Sequence, residues 1–230
     1  MISKPRGPAI GILTRYPERG VGKTRLASTI GVDAAHDLGR AMLLDVCEAV
    51  RATALCHATV FVEPAERIDD TSVLTDIPDA RAQTAGDIGT RMLAAARVLE
   101  GDGYGPIVLV GSDLPLLVPA HIHHALRALR RADVVFGPAS DGGYTLVGMH
   151  RPQPALFEDP AIEWGGADVL AASCAAAERA GLGYGLLPES FDVDTAADLE
   201  RLRDEVMRRE LAGEAPPAHT AAALRTIRST

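Results

Sequence analysis

Arg15, Arg19, Lys23 and Arg25 fall within RYPERGVGKTRL, from Arg15 to Leu26, spaced around Gly20 and Gly22. Lys23 is one of only two lysines in a chain with 23 basic residues. Glycines such as Gly22 let backbone N–H groups approach an anion, and nearby cations neutralise it, so the chemistry of this stretch is phosphate binding. The net charge is −8, so the positive charge here is a local concentration. Gly22-Lys23-Thr24 matches the end of a Walker A motif, and IVLVGSD (Ile107 to Asp113) can pass for a Walker B strand. The place of the first Walker A glycine is held by Pro17, whose ring fixes φ and removes a backbone donor. A P-loop NTPase is therefore the weaker reading of the loop.

Carboxylates supply the complementary chemistry. Asp113, in Gly111-Ser112-Asp113-Leu114-Pro115, stands where an apolar strand emerges. It either caps the following turn or binds a divalent ion, since Mg²⁺ and Mn²⁺ take a protein carboxylate together with substrate phosphate oxygens. Asp192 and Asp194 are two residues apart, which puts both side chains on one side of an extended segment. Asp192 reads as a metal ligand. Asp194 reads equally as a ligand or, like Thr195, as the N-cap of a helix beginning near Ala196, with Asp198 completing a capping-box pattern.

Asp141-Gly142-Gly143-Tyr144 reads as a hairpin turn, or as a close approach of substrate to backbone with Asp141 as acid, base or hydroxyl acceptor. For Gln83 with GDIGTRM two readings stand equally: Asp87 is simply a helix N-cap, or Gln83 and the Gly86 backbone contact a base or ribose. Trp164, the only tryptophan, is either a core anchor or a wall for a sugar or other acceptor. His121, His123 and His124 begin a predicted helix and read as exposed polar residues rather than as a zinc site.

Positioning these groups requires an alternation of strands and helices, and the pattern provides it. Apolar runs at Ala9–Thr14, Ala58–Val62, Pro106–Val110, Asp133–Phe136, Tyr144–Met149 and Tyr184–Leu187 predict strands. Helical spacing, as in Leu38, Met42, Val46 and Val50, predicts helices over Asp33–Ala52, Asp87–Leu99, Ala120–Arg130, Ala167–Ala180 and Ala196–Arg209. IVLV at 107–110 has no polar alternation, as expected for a strand buried on both faces. The fold class is α/β: one domain over residues 1–210, a mostly parallel open sheet flanked by helices. Ligands gather at the carboxyl ends of such strands, so the basic loop and Gly111-Ser112-Asp113 should meet at one edge. Residues 211–230 read as a loosely ordered tail, with an arm on a partner subunit of a homodimer as the alternative.

Composition sets the outer limits. Apolar residues make up 47% and charged residues 23%, as in a globular enzyme. Aromatics are only 4% and the charge is acidic, which argues against a nucleic-acid partner. The three cysteines, Cys47, Cys56 and Cys174, lack metal-ligand spacing and read as reduced thiols. No apolar run reaches membrane-spanning length, and the proline-interrupted start does not read as a secretory leader. The expected setting is the cytoplasm.

Taken in order, RYPERGVGKTRL, Gln83 with GDIGTRM, PIVLVGSDLPLL, ADVVFGPASDGGYTLVGM, ALFEDPAIEW and FDVDTAADL resemble the bacterial glycosyltransferase-A-like family. These proteins have the nucleotide-diphospho-sugar transferase fold, a GT-A, Rossmann-like architecture. The first motif and AMLLDVCEAV also resemble guanylyltransferases that activate phospholactate, which share that fold. The resemblance spans roughly residues 9 to 205. It implies that Arg15, Lys23 and Arg25 contact nucleotide phosphates and that Asp113 coordinates Mg²⁺ or Mn²⁺ with the Asp192–Asp194 segment nearby. Gly142, Gly143, Tyr144 and Trp164, with Asp141, would then border the acceptor. Arg15 stands where the family usually has lysine, Thr145 replaces a frequent second tyrosine, and Gly165-Gly166 replaces a Ser/Thr pair. The last two departures fall on the acceptor side. The implied activity is metal-dependent glycosyl transfer from a nucleoside-diphosphate sugar to a small-molecule acceptor. Nucleotidyl transfer releasing pyrophosphate is the closest alternative, and a non-catalytic nucleotide-binding module a more distant one.

Overall fold

The computed structural model describes residues 6–54, 56–68 and 79–227. Strand β1 (Ala9–Arg15) leads through the basic loop into a short helix α1 (Thr24–Ile30) and the long helix α2 (Val32–Arg51). Gly31, at φ +86°, separates the two helices in a conformation that disfavours a side chain. There follow β2 (His57–Glu63), β3 (Ala80–Ala82), α3 (Ile88–Gly101), β4 (Ile107–Gly111) and α4 (Pro119–Ala128). The chain continues through β5 (Val134–Pro138), β6 (Tyr144–Met149), α5 (Val169–Arg179), β7 (Tyr184–Leu186), α6 (Ala196–Leu211) and α7 (Ala218–Thr226).

The seven strands form one sheet in the order β3-β2-β1-β4-β6-β5-β7. All pairings are parallel except those of β6, which runs against β4 and β5. That reversal comes from the Asp141-Gly142-Gly143 turn: the Gly142 N–H donates to the Ala139 carbonyl at 3.2 Å and the Ala139 N–H to the Gly143 carbonyl at 3.0 Å. Gly142 sits at φ +91°, and a Cβ there would lie 1.7 Å from the Ala167 carbonyl oxygen, so only glycine fits. Because β6 is reversed, its first residues lie at the same edge as the last residues of β4, with Leu146 opposite Val110.

Successive strand residues serve opposite layers, as the pleat requires. Leu13, Phe61, Ile107 and Leu109 pack with Met92, Leu93, Ala96 and Leu99 of α3 and with α5. Ile10, Ile12, Val108 and Val110 pack with Leu43, Val46 and Val50 of α2 and with Ile122 and Ala125 of α4. The unalternating run at 107–110 is thus buried on both faces. A third cluster joins α1, α2, α6 and α7 and includes Phe191 and Val193, which fixes the segment carrying Asp192 and Asp194. Among the described residues no helix is long and apolar enough to cross a membrane.

Two parts of the fold differ from the sequence reading. β3 carries only Ala-Arg-Ala at a sheet edge, too short for a periodic signal. Residues 218–226, read as part of a loose tail, form α7, packed on α2 of the same chain. The cause is a distant carboxylate: buried Asp45 of α2 accepts the backbone N–H groups of His219 at 3.0 Å and Thr220 at 2.7 Å. These are first-turn donors with no partner inside α7, so Asp45 caps that helix across the tertiary contact. Replacing Asp45 by Ala should leave two N–H groups without their acceptor and cost about 2 kcal/mol. Urea unfolding should show the loss, and amide exchange should accelerate first in α7; an unchanged midpoint would contradict this role.

Candidate active site cleft

A cleft of ≈ 440 Å³ opens at the carboxyl edge of the sheet. One wall is the end of β1 and its loop, the end of β2, and α3; the other is the segment after β4, the β5–β6 hairpin and residues 192 and 194. Lys23 crosses between them. Its ammonium lies 2.7 Å from Asp113 Oδ2 and 3.3 Å from Asp194 Oδ1, and donates to the Val193 carbonyl at 2.6 Å. Burial by itself would lower the Lys23 pKa, but the charges and hydrogen bonds of Asp113 and Asp194 outweigh it and hold it above the ordinary value. The backbone of Lys23 is left-handed at φ 45°, as the cap of α1. A non-glycine residue rarely adopts that region, and it persists here where the side chain is pinned by three partners.

The acidic wall is held by its own capping. Thr195 is the N-cap of α6, in a reciprocal box with Asp198, whose Oδ2 accepts the Thr195 N–H at 2.8 Å. Asp194 is consequently free of capping and its side chain meets Lys23 and, at 3.5 Å, Arg25. Asp192 lies half-buried among acids. Burial raises its pKa, the nearby charges of Asp141 and Asp113 raise it further, and its own backbone N–H and Lys23 only partly offset them. Asp141 accepts the Gly143 N–H at 3.0 Å.

At the other end, the Gln83 side chain is buried and its Nε2 donates to the Thr14 and Phe61 carbonyls, each at 2.8 Å. Its Oε1 is buried and, among the described residues, has no hydrogen-bond partner. Glu63 pairs with both Arg91 and, at 3.7 Å, Arg15. Arg91, Glu63 and His36 also line the cleft and were not singled out from sequence. Ile88, Arg91 and Met92 all face the cleft, a helical i, i+3, i+4 set after the Asp87 N-cap, and that spacing was the available signal.

The structure therefore gathers Arg15, Gly22, Lys23, Gln83, Asp113, Asp141, Gly143, Tyr144, Asp192 and Asp194 around one cleft. Tyr144 lines it with its hydroxyl buried, and burial pushes the phenol pKa up. Four of the sequence candidates lie outside this lining. Arg25 is exposed and, among the described residues, pairs with Asp194. Gly86 packs against Thr90, and Gly142 against Ala167. Trp164 stacks on Phe157 and meets Tyr144 edge-on, and a Cβ on Gly89 would lie 2.3 Å from its indole.

Oxygen donors at Asp113 and Asp192, with the like-charge strain on Asp192, fit a hard divalent cation completed by phosphate oxygens. Among the described residues the one group whose ligand atoms all approach within 4.8 Å is Asp45, Glu48 and His219. There both Asp45 oxygens already accept α7 backbone N–H groups, which makes it a helix cap.

The model of a family described as "Uncharacterized protein conserved in bacteria (DUF2064)" matches residues 44–166. A crystal structure from Desulfovibrio desulfuricans G20, provisionally named a nucleotide-diphospho-sugar transferase, is 30% identical, with 97% of this chain and 99% of that chain covered and a TM-score of 0.83. A nucleotidyl transferase from Methanothermobacter (Mth528) is 17% identical over 87% of this chain and 98% of its own, with a TM-score of 0.59. Rv0371C of Mycobacterium tuberculosis H37Rv, solved as a manganese complex, is 16% identical over 87% of this chain and 100% of its own, with a TM-score of 0.52. The last two are likenesses of fold. No curated protein matches the chain by sequence.

A carboxylate whose pKa is raised by folding is more stable in the native state when protonated, so its stabilising contribution fades as pH rises through the folded pKa. Asp192→Asn should accordingly raise metal-free stability at neutral pH, with the advantage vanishing below the ordinary aspartate pKa of 3.8. Thermal unfolding at both pH values checks this, and a variant less stable than wild type at neutral pH would contradict it.

Proposed function

The chain belongs to the DUF2064 family of bacterial proteins, and we propose that it is a metal-dependent glycosyltransferase using a nucleoside-diphosphate sugar donor and a small-molecule acceptor. The supporting observation is the meeting of Lys23 and Asp113 at 2.7 Å inside one cleft at the sheet's carboxyl edge. The fold shared with the D. desulfuricans protein, and that protein's name, support the donor class.

Charge makes the metal part of the reading. The cleft is lined by Arg15, Lys23 and Arg91 against Glu18, Glu63, Asp113, Asp141, Asp192 and Asp194. Three cations facing six carboxylates repel a diphosphate unless further positive charge accompanies it. A divalent ion on Asp113 and Asp192 would supply that charge and stabilise the departing diphosphate. Manganese in Rv0371C, a protein of like fold, supports the ion class.

In this reading Arg15, Lys23 and the Gly22 backbone hold the phosphates, and the Gln83 side chain borders the nucleoside. The acceptor hydroxyl oxygen bonds to the anomeric carbon while the bond from that carbon to the diphosphate oxygen breaks. The electron pair leaves with the nucleoside diphosphate, and Asp141 takes the hydroxyl proton. Nucleotidyl transfer, the activity named for the Methanothermobacter protein, would use the same cleft but release pyrophosphate from a nucleoside triphosphate.

Incubation with Mg²⁺, each nucleoside triphosphate and a panel of nucleoside-diphosphate sugars separates the two. Nucleoside diphosphate release from a sugar donor is expected; pyrophosphate release with no sugar-donor turnover would overturn the glycosyl reading. Asp113→Asn should lower turnover by about 100-fold or more with the fold intact by circular dichroism, and undiminished turnover would remove Asp113 from the metal site.

A further inference from the structure

The cations in the cleft all belong to one wall, where Glu18 and Glu63 lie beside them. All three cations lining it, Arg15, Lys23 and Arg91, come from the β1 loop and α3. The facing wall contributes Asp113, Asp141, Asp192 and Asp194 and, among the described residues, no cation. Arg201 touches the hairpin from behind, 3.4 Å from Ser140 Oγ, but it stacks 3.9 Å over the Phe191 ring and lines a separate cavity of ≈ 590 Å³. Arg15 and Arg91 are already paired with Glu63 on the far side.

With the divalent ion of the proposed function taken up by the donor diphosphate, an anionic group on an acceptor would enter beside Asp141 with no side-chain cation on that wall to receive it. Asp141 uses Oδ1 to accept the Gly143 N–H, which leaves Oδ2 to accept from a ligand. Acceptor-only oxygens select donors: hydroxyl groups and ammonium groups.

We propose that the acceptor is a polyhydroxylated small molecule, uncharged or bearing an ammonium group, and that it carries neither phosphate nor carboxylate. This rests on the glycosyl-donor reading above and narrows it. The donor diphosphate takes the cationic wall, and the acidic wall recognises the acceptor through donated hydrogen bonds. A phosphorylated acceptor, by contrast, needs the cations that the donor occupies.

The test divides a bacterial small-molecule extract by anion exchange into retained (anionic) and unretained (neutral and cationic) fractions. Each is added to the protein with Mg²⁺ and the sugar donors, and nucleoside diphosphate and pyrophosphate are measured separately. The unretained fraction should stimulate nucleoside diphosphate release at least about tenfold more than the retained one, the size of effect expected when a charge is mispaired. Stimulation by the retained fraction, with nucleoside diphosphate as product, would overturn the acceptor assignment and leave the donor reading standing. Pyrophosphate as product would instead overturn the donor reading. Independently of turnover, saturation-transfer NMR on protein loaded with Mg²⁺ and nucleoside diphosphate should show glucosamine binding that Asp141→Asn removes. A glucose 6-phosphate signal removed by the same substitution would contradict the proposal.

Discussion

The contact of Lys23 with Asp113 and Asp194 is the constraint around which the site is arranged. It joins the loop after the first strand to the end of β4 and to the segment before α6. Each neighbour serves it. The left-handed backbone of Lys23 turns the chain into α1, whose Leu26 enters the cluster with Phe191, Val193 and the apolar face of α6. Thr195 and Asp198 satisfy the start of α6 between themselves, which releases Asp194 for the lysine. The Val193 N–H donates to the Asp113 carbonyl at 3.1 Å, so the two acid-bearing segments are also tied through their backbones.

A buried or half-buried ion pair of this kind is weak evidence for stability, because desolvation offsets much of the attraction. In the proposed function its value would lie in placing opposite charges where a ligand exchanges partners: Lys23 would pass from carboxylate to phosphate, and the vacated carboxylates from lysine to a metal ion. Gln83 Oε1 is, among the described residues, a further polar atom at the cleft left without a partner.

Much of the scaffold was legible in the chain. The apolar runs predicted β1, β2, β4, β5, β6 and β7, and the helical spacings predicted α2 to α6, because burial imposes a local period on each. Asp141-Gly142-Gly143 offered a hairpin as one of two readings, and Asp194 or Thr195 with Asp198 offered a cap, which the structure gives to Thr195. What escaped depended on partners remote in sequence. Asp45 caps α7 across 174 and 175 residues, and nothing near His219 reveals it. Arg91 joins the cleft only because α3 packs on β1 and β4, which brings it to Glu63 at the end of β2. Trp164 carried two readings, and it is the close approach of Gly89 that seats its indole against α3. For Arg25 the sequence supplied a charge in the right loop, but the helical turn after Lys23 directs it to the outer oxygen of Asp194.

The central claim is that one diphosphate and one divalent ion are held jointly by Lys23 and the acids opposite it. Calorimetric titration of nucleoside diphosphates into the protein, with and without Mg²⁺ or Mn²⁺, addresses it directly. Binding should require the metal and should be lost in both Lys23→Met and Asp113→Asn. Metal-independent binding that survives the Asp113 substitution would contradict it.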